Sequence, residues 1–240
     1  FGIGCSGNMN DFLNAYAYHA LHGRAIPTAV GLKLANHSMP TLVIAGDGDT
    51  YGEGGNHFFH ACRGNHDLTI IVHDNGVYGL TTGQVAPTAH KGTISKSTPT
   101  GIIERSVSPL AFAISQGATF VAQSFAGDIP HMREMIELGM KHKGLSLVNV
   151  LQPCVTFNRV NTYQYYLKNS YKVDGKYDHT SYSGALVKAV EMDEERFPLG
   201  VIYKTESSPY HEQVPAYQQA KPLIQIPRIP TLHDLIEEFR

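Results

Sequence analysis

The stretch that decides the fold is Thr41-Leu-Val-Ile-Ala-Gly-Asp-Gly-Asp49, an apolar run that ends in glycines and carboxylates. Short apolar runs bounded by glycine are typical of buried strands, and residues 53–64 that follow suit a helix. A second run, Leu68-Thr-Ile-Ile-Val-His73, has the same character. The pattern therefore predicts strands at 41–45 and 68–73 with a helix between them.

The alternation of apolar runs with helical stretches continues along the chain. Further strands are predicted at 118–122, 145–151 and 199–204, and further helices at 108–117, 128–144 and 183–192. Continuous apolar strands separated by helices indicate a parallel sheet that is covered on both faces. We therefore expect an α/β fold with a doubly wound, mostly parallel sheet.

Composition limits the class of protein. The 240 residues are 42% hydrophobic, and 19 Lys and Arg against 21 Asp and Glu give a net charge of −2, so no nucleic-acid partner is expected. No apolar run approaches the roughly 20 residues that a membrane span requires. Three widely separated cysteines, Cys5, Cys62 and Cys154, do not form a secreted disulfide framework. We expect a soluble cytoplasmic protein.

The chain divides into two parts that differ in composition and in hydrophobic pattern. Residues 1–160 carry the strand and helix pattern, whereas 161–240 are richer in Tyr, Asn and Lys and end in prolines between Pro209 and Pro230. We interpret 161–240 as a C-terminal extension that packs on a partner subunit through an extended arm. The polar stretch 83–106 is too long for an ordinary connection and is either a functional or a mobile loop. Because Phe1 is not an initiator Met, we expect that residues precede it.

Polar residues follow the first two predicted strands where each strand ends. Asp47 follows the first strand, and Asn75 follows the second. Carboxyl ends of neighbouring parallel strands meet at one edge of the sheet, where open α/β sheets bind ligands. Mg²⁺ prefers hard oxygen ligands and usually takes one or two from protein beside phosphate and water. The pattern predicts a Mg²⁺ site formed by Asp47, Asn75 and the carbonyl of Val77.

Glycines nearby suit a phosphate, and other interpretations compete. Gly48, Gly54 and Gly55 would let a diphosphate approach the amides that open the next helix. Singly, Asp and Asn after strands are ordinary turn residues. An EF-hand calcium loop starting at Asp47 fails, because its twelfth position is Phe58 rather than Glu.

Several short sequence motifs together resemble those of a known family. They are GIGCSG at 2–7, HGRA at 22–25, GDGD at 46–49, GGNHFFHA at 54–61, HDNGVYGLTTGQ at 73–84 and LQPC at 151–154. Gly46-Asp-Gly48 with the later Asn75 resembles the thiamine diphosphate motif. The whole set is similar to the β subunit of 2-oxoacid:ferredoxin oxidoreductases, nearly continuously over residues 2–160. This resemblance implies a thiamine diphosphate-binding fold followed by a C-terminal extension.

The resemblance also implies roles for individual residues. Asp47, Asn75 and the Val77 carbonyl match the Mg²⁺ ligands. His22 matches a catalytic position. The positions that match contacts to thiamine diphosphate are Ile3, Gly4, Cys5, Ser6, His22, Gly48, Asp49, Gly79 and Leu80. Cys5 and Cys154 match two of the four cysteines that hold a [4Fe-4S] cluster, and the other two are expected upstream of Phe1.

The implied activity is oxidative decarboxylation of a 2-oxoacid with coenzyme A, which yields an acyl-CoA and CO₂ and passes electrons through the cluster to ferredoxin. The implied partner is an α subunit, or a fused γ-α subunit, with a pyrimidine-binding domain. Asn8 is neutral where some members of the family carry a basic residue for the distal carboxylate of 2-oxoglutarate, which argues against that substrate and suits a broad or apolar one. The expected substrate is nevertheless 2-oxoglutarate or a broad range of 2-oxoacids that includes it. Two alternatives remain open: a non-redox thiamine diphosphate-dependent decarboxylase or synthase subunit, and a non-catalytic metal- or nucleotide-binding module.

Overall fold

The computed structural model describes residues 1–194, 196–218, 222–225 and 236. Its main feature is a six-stranded sheet with the strand order β1-β2-β6-β5-β8-β7, beside a two-stranded hairpin of β3 and β4. The strands are β1 (Leu42–Gly46), β2 (Thr69–Asp74), β3 (Val77–Tyr78), β4 (Gln84–Val85), β5 (Phe120–Phe125), β6 (Ser146–Leu151), β7 (Ser170–Lys172) and β8 (Phe197–Lys204).

The sheet is parallel except at one junction. β1, β2, β6 and β5 run parallel to one another. β8 runs antiparallel to β5, and β7 runs parallel to β8. The outer edge of β1 is partly covered by the start of the chain, because the backbone N–H of Gly2 donates to the carbonyl of Ile44 at 2.9 Å. The start of the chain is thereby held beside the carboxyl ends of the parallel strands.

Eight α-helices accompany these strands in the described residues. They are α1 (Ala25–Ala35), α2 (Gly55–Gly64), α3 (Pro109–Ser115), α4 (Ile129–Lys141), α5 (Tyr163–Asn169), α6 (Tyr182–Val190), α7 (Tyr210–Gln213) and α8 (Pro215–Gln218). Three 3-10 segments, Gly7–Phe12, Glu191–Glu194 and Leu223–Gln225, and a π-helix, Gly48–Glu53, complete the set. None of the described helices is long and apolar enough to cross a bilayer.

Alternate residues of the strands bury opposite faces of the sheet. On one face, Val43 and Ile70 join a core that includes residues of α1, α2, α3 and α6. On the other face, Ile44 and Ile71 pack with Met135 of α4. Because both faces are covered, the strands are mainly apolar, and the buried polar side chains of Gln123 and Asn149 hydrogen-bond to each other at 3.0 Å. The expected α/β fold with a mostly parallel, doubly wound sheet is confirmed.

Some elements differ from the expectation. The helix predicted at 53–64 is a π-helix over Gly48–Glu53 followed by α2, and α1 was not predicted. The strand predicted at 199–204 begins at Phe197 and is antiparallel, a direction that an apolar pattern does not encode. The division at residue 160 stays a prediction.

The C-terminal stretch contains helices where an extended arm was expected. Residues 210–218 form two short helices, and the N–H of Tyr210 donates to the carbonyl of Asn65 at 3.1 Å. This part therefore packs against its own chain. The remainder of the predicted arm, at 219–221 and 226–235, lies outside the described residues.

Candidate active site

Three loops converge at the carboxyl edge of the sheet. They follow β1, β2 and β6, and carry Asp47, Asn75 and Cys154 respectively. The parallel register places Gly46 beside His73, so the loops start from adjacent strands at nearly the same height. The sequence-based expectation that Asp47 and Asn75 lie side by side matches this arrangement.

Asp47 is a buried carboxylate at the bottom of this edge. Its side chain is engaged through Oδ2, which accepts hydrogen bonds from the N–H of Gly76 at 2.8 Å and the hydroxyl of Thr88 at 2.5 Å. Burial and the nearby charge of Asp74 raise the pKa of Asp47 to about 7. A carboxylate with these surroundings favours a bound cation, which would offset both the burial and the repulsion.

The loop after β2 is fixed by its own side chains. The Asn75 side-chain oxygen accepts from the N–H of Val77 at 3.0 Å, and the carbonyl of Asn75 accepts from the side-chain amide of Asn158 at 2.8 Å. Gly76 adopts φ +72°, which favours glycine. The loop is thus set in one conformation beside Asp47.

The oxygen donors at this edge of the sheet are of the kind that Mg²⁺ binds. One buried carboxylate, one amide oxygen and backbone carbonyls are hard oxygen donors of the kind that Mg²⁺ takes together with phosphate and water. Within the described part of the chain, no group of three His, Cys, Asp or Glu side chains could hold a metal ion. A site here would therefore depend on Asn75, on a backbone carbonyl and on ligand oxygens beside the single carboxylate of Asp47.

Asp49 fastens the start of the chain to the sheet edge. Its Oδ1 atom accepts from the N–H groups of Ile3 at 3.1 Å and Gly23 at 2.8 Å, and lies 2.7 Å from Nδ1 of His22. A Cβ atom at Gly2 would collide with this carboxylate. One buried side chain therefore positions both the GIGCSG segment and the HGRA segment.

These segments enclose a cavity of about 300 Å³, a volume at the lower end of the range for small-ligand sites. The residues that line it are Ile3, Gly4, Cys5, Ser6, His22, Gly46, Asp47, Gly48, Asp49, His73, Asn75, Val77, Tyr78, Gly79, Leu80, Thr81 and Gln152. Of the residues that the sequence singled out for cofactor or metal, Gly54, Gly55 and Cys154 are absent from this lining.

Two features of the cavity suit a phosphate-bearing cofactor. The hydroxyl of Ser6 is buried and has no hydrogen-bond partner among the described residues, so it is available to a ligand. Cβ atoms at Gly4 and Gly46 would meet nothing within 4 Å, so the backbone there borders open space. A ligand can approach the backbone closely at both positions.

Gly48 has a different reason for being glycine than the sequence suggested. A Cβ atom there would collide with the ring of Tyr78, so the missing side chain makes room for Tyr78. By contrast, a Cβ atom at Gly55 would meet nothing within 4 Å. Gly55 does not line the cavity, however, so the expected approach of a diphosphate explains neither glycine.

The three cysteines fall into two groups. Cys5 is exposed and Cys154 is half-buried, while Cys62 is buried in the core, as the sequence predicts for a small apolar residue. Burial first, and then the charge of Cys154, raise the pKa of the Cys5 thiol. The Sγ atom of Cys5 would lie 2.6 Å from a Cβ atom at Gly79. Cys5 therefore borders the cavity, whereas Cys154 does not.

Sequence reasoning missed several contacts in the site. Thr88, from the long polar loop, binds Asp47, and Asn158 binds the backbone after β2. Tyr78 and Glu53 contact each other beside His22. A lone Thr, Asn or Glu in a loop gives no local signal, so only the spatial arrangement identifies these residues.

Comparisons with known proteins agree with this geometry. Residues 2–150 match the family model of the thiamine pyrophosphate enzyme C-terminal TPP-binding domain. Residues 154–219 match the model of the C-terminal part of the pyruvate ferredoxin oxidoreductase β subunit. The two matched regions meet just before Cys154.

Individual relatives cover nearly the whole chain. A 2-oxoacid:ferredoxin oxidoreductase subunit beta of Saccharolobus solfataricus is 43% identical, over 98% of this chain and 80% of that protein. A subunit beta of Aeropyrum pernix is 37% identical, over 99% and 77%. A solved structure of a 2-oxoglutarate:ferredoxin oxidoreductase from Magnetococcus marinus, with 2-oxoglutarate, coenzyme A and succinyl-CoA bound, has a TM-score of 0.85 at 36% identity. The match covers 87% of this chain and 72% of that one.

Proposed function

Since the chain belongs to the β subunits of 2-oxoacid:ferredoxin oxidoreductases, a family of thiamine diphosphate-dependent enzymes, we propose that its cavity at the carboxyl edge of the sheet binds thiamine diphosphate with Mg²⁺. The proposed reaction is oxidative decarboxylation of a 2-oxoacid with coenzyme A. The observation that carries the proposal is the convergence of Asp47, Asn75 and Cys5 on one cavity.

Asp47, Asn75 and the carbonyl of Val77 would hold Mg²⁺. Asp47 supplies the charge, and the hydrogen bonds from Gly76 and Thr88 orient its carboxylate. Asn75 lies in a loop that Asn158 holds in place. Fixing the ligands before the ion arrives lowers the cost of binding.

The segments fastened by Asp49 would surround the cofactor. Ile3 and His22 are tied directly to the Asp49 carboxylate, and the unpartnered hydroxyl of Ser6 is available as a donor. Gly79 and Leu80 would border the cofactor on the opposite side, where they line the same cavity.

Cys5 and Cys154 would ligate a [4Fe-4S] cluster at the mouth of the cavity. Two thiolates are half of the set that such a cluster requires, so two further ligands would come from outside this sequence. An exposed Cys5 and a half-buried Cys154 support a ligand role better than a core role. When bound, thiamine diphosphate would supply the electron sink for decarboxylation, and the cluster would supply the one-electron path to ferredoxin.

The active complex would include an α subunit, or a fused γ-α subunit, that carries the pyrimidine-binding domain. Designation of the relatives as β subunits supports such a partner. The substrates would be 2-oxoglutarate and other 2-oxoacids, because the Magnetococcus structure holds 2-oxoglutarate and the Saccharolobus and Aeropyrum relatives are named 2-oxoacid:ferredoxin oxidoreductases. The reaction would take place in the cytoplasm.

The experiment is an anaerobic assay of the full-length chain co-purified with its partner. Reduction of ferredoxin is followed with 2-oxoglutarate, pyruvate or 2-oxobutyrate, each with and without coenzyme A. We expect reduction that requires both the acid and coenzyme A, with acyl-CoA formed for each CO₂ released. CO₂ release without ferredoxin reduction would instead support the non-redox decarboxylase. Absence of both CO₂ release and ferredoxin reduction would support a non-catalytic binding module.

A further inference from the structure

The ring of His22 lies between two carboxylates that come from the same π-helical segment. Nδ1 lies 2.7 Å from Oδ1 of Asp49, and Nε2 lies 3.1 Å from Oε2 of Glu53. Both ring nitrogens therefore face an acceptor. Glu53 lies between the GDGD and GGNHFFHA motifs and belongs to neither.

The two carboxylates are held in different ways. The Asp49 side chain is 3% exposed and also accepts two backbone N–H groups. The Glu53 side chain is 46% exposed and is not part of the cavity lining. Glu53 thus lies behind His22 as seen from the cavity, and can affect a bound ligand only through its neighbours.

Tyr78 fixes Glu53 in this position. Its hydroxyl donates to Oε2 of Glu53 at 3.1 Å, and its ring meets the ring of His22 edge-on, with centroids 5.9 Å apart. Burial and the charge of Glu53 raise the pKa of Tyr78 well above its usual range, so the phenol remains a donor.

Two glycines of the π-helix leave room for the side chain of Tyr78. A Cβ atom at Gly48 would collide with the Tyr78 ring, and one at Gly52 would lie 2.5 Å from its hydroxyl. The two glycines therefore clear the path by which Tyr78 reaches Glu53. Single π-helical turns inside helices are frequent at functional sites, and this one brings both Asp49 and Glu53 to a single imidazole.

We propose that Glu53 is a positioning residue for His22. One ring nitrogen lies against Asp49 and the other against Glu53, so turning the imidazole over would take both nitrogens away from their carboxylates. Its orientation toward the cavity is thereby fixed before a ligand binds. This inference rests on the proposed function, in which His22 contacts thiamine diphosphate.

The test compares Glu53→Ala and Glu53→Gln in the full-length chain assembled with its partner. Glu134→Ala, on the exposed side of α4, is the matched control. Affinity for thiamine diphosphate with Mg²⁺ is measured by calorimetry. We expect E53A to weaken binding about tenfold, as for loss of a hydrogen bond to a charged group. E53Q keeps an acceptor oxygen and should remain within about twofold of the wild type.

A second readout follows His22 itself. The rate at which diethyl pyrocarbonate modifies His22, measured by peptide mass spectrometry, should rise about tenfold in E53A but not in E53Q or E134A, because only E53A frees Nε2. Hydrogen exchange at the amides of Ile3 and Gly23 should stay unchanged, since both are held by Asp49.

Two results would overturn the proposal. One is an E53A complex with wild-type affinity and wild-type modification of His22. The other is an equal loss in E53A and E53Q together with faster exchange at Ile3 and Gly23, which would show that Glu53 only supports the fold. A wild-type complex that binds no thiamine diphosphate would instead refute the proposed function, and this inference with it.

Discussion

The carboxylate of Asp47 accepts a hydrogen bond from the backbone N–H of Gly76 at 2.8 Å. This bond joins the loop after β1 to the loop after β2, and so brings the two segments with the proposed metal ligands into one site. Because β1 and β2 are parallel and in register at their carboxyl ends, the sheet itself produces this proximity.

Replacing the charged ligand should remove the metal. Asp47→Asn keeps the size of the side chain and an acceptor for Gly76 but loses the charge. We expect affinity for Mg²⁺ with thiamine diphosphate to fall at least about 100-fold, because changes to mere outer-shell partners already cost about 10- to 100-fold. Calorimetry with and without Mg²⁺ checks this, and wild-type affinity in D47N would remove Asp47 from the metal site.

The pKa of Asp47 predicts a pH dependence for the metal-free chain. Burial and Asp74 raise it to about 7, above the usual carboxyl value of about 4 in an unfolded chain. Between these values the folded state binds more protons, so the contribution of this group to stability is full below about pH 4 and is lost as the pH rises through about 7. The D47N variant has no carboxyl group at this position, so its stability does not fall for this reason as the pH rises.

The measurement is chemical denaturation of both chains from pH 5 to pH 8 without metal. The stability of D47N relative to the wild type should increase with pH, and Mg²⁺ with thiamine diphosphate should reverse the order at pH 8. A difference that does not vary with pH would show that Asp47 does not titrate in this range.

Asp49 should control the order of the start of the chain. Asp49→Ala removes the acceptor for Ile3, His22 and Gly23 at once, at a cost of about 1–3 kcal/mol for each donor left buried and unpaired. Hydrogen exchange at the amides of Ile3 and Gly23 should become faster by about tenfold or more. Wild-type protection at both amides would contradict the role given to Asp49.

A substitution at Gly79 should displace the thiol of Cys5. A Cβ atom there would lie 2.6 Å from Sγ, so Gly79→Ala should lower iron content at least twofold while thiamine diphosphate binding falls less. Gly31→Ala in α1 is a control, because a Cβ atom there meets nothing within 4 Å. It should raise stability by about 0.5–1 kcal/mol. Full iron content in G79A would argue against Cys5 as a ligand.

Cys154 should be required for electron transfer to ferredoxin but not for binding of thiamine diphosphate. Cys154→Ser leaves the cavity lining intact, so binding of thiamine diphosphate should be within about twofold of the wild type. Ferredoxin reduction should fall by at least about 100-fold, because a cluster lacking one thiolate is disrupted. Unchanged reduction would mean that Cys154 is a structural residue.

The sequence predicts most of this site because its parts are local. A strand followed by Gly-Asp-Gly, and a second strand followed by Asp-Asn-Gly, each determine their own turn, and parallel pairing of neighbouring strands brings the turns together. The GDGD and HDNGVYGLTTGQ motifs therefore identify Asp47 and Asn75 from local sequence alone.

Other parts of the site depend on contacts that no local pattern encodes. Thr88 lies 41 positions from Asp47 in a polar loop without periodicity. The approach of Glu53 to His22 depends on a π-helix, which hydrophobic periodicity predicts as ordinary helix. The direction of β8 likewise follows from the path of the chain and not from its apolar residues.

The most direct test of the account is cofactor analysis of the complex of this chain with its partner, purified anaerobically. Iron, sulfide, Mg²⁺ and thiamine diphosphate are measured per β chain, and EPR spectra are recorded before and after addition of 2-oxoglutarate and coenzyme A. We expect thiamine diphosphate, Mg²⁺ and about four irons, with a cluster signal that appears on substrate addition. Thiamine diphosphate and Mg²⁺ without iron, or a cluster that substrate does not reduce, would contradict it.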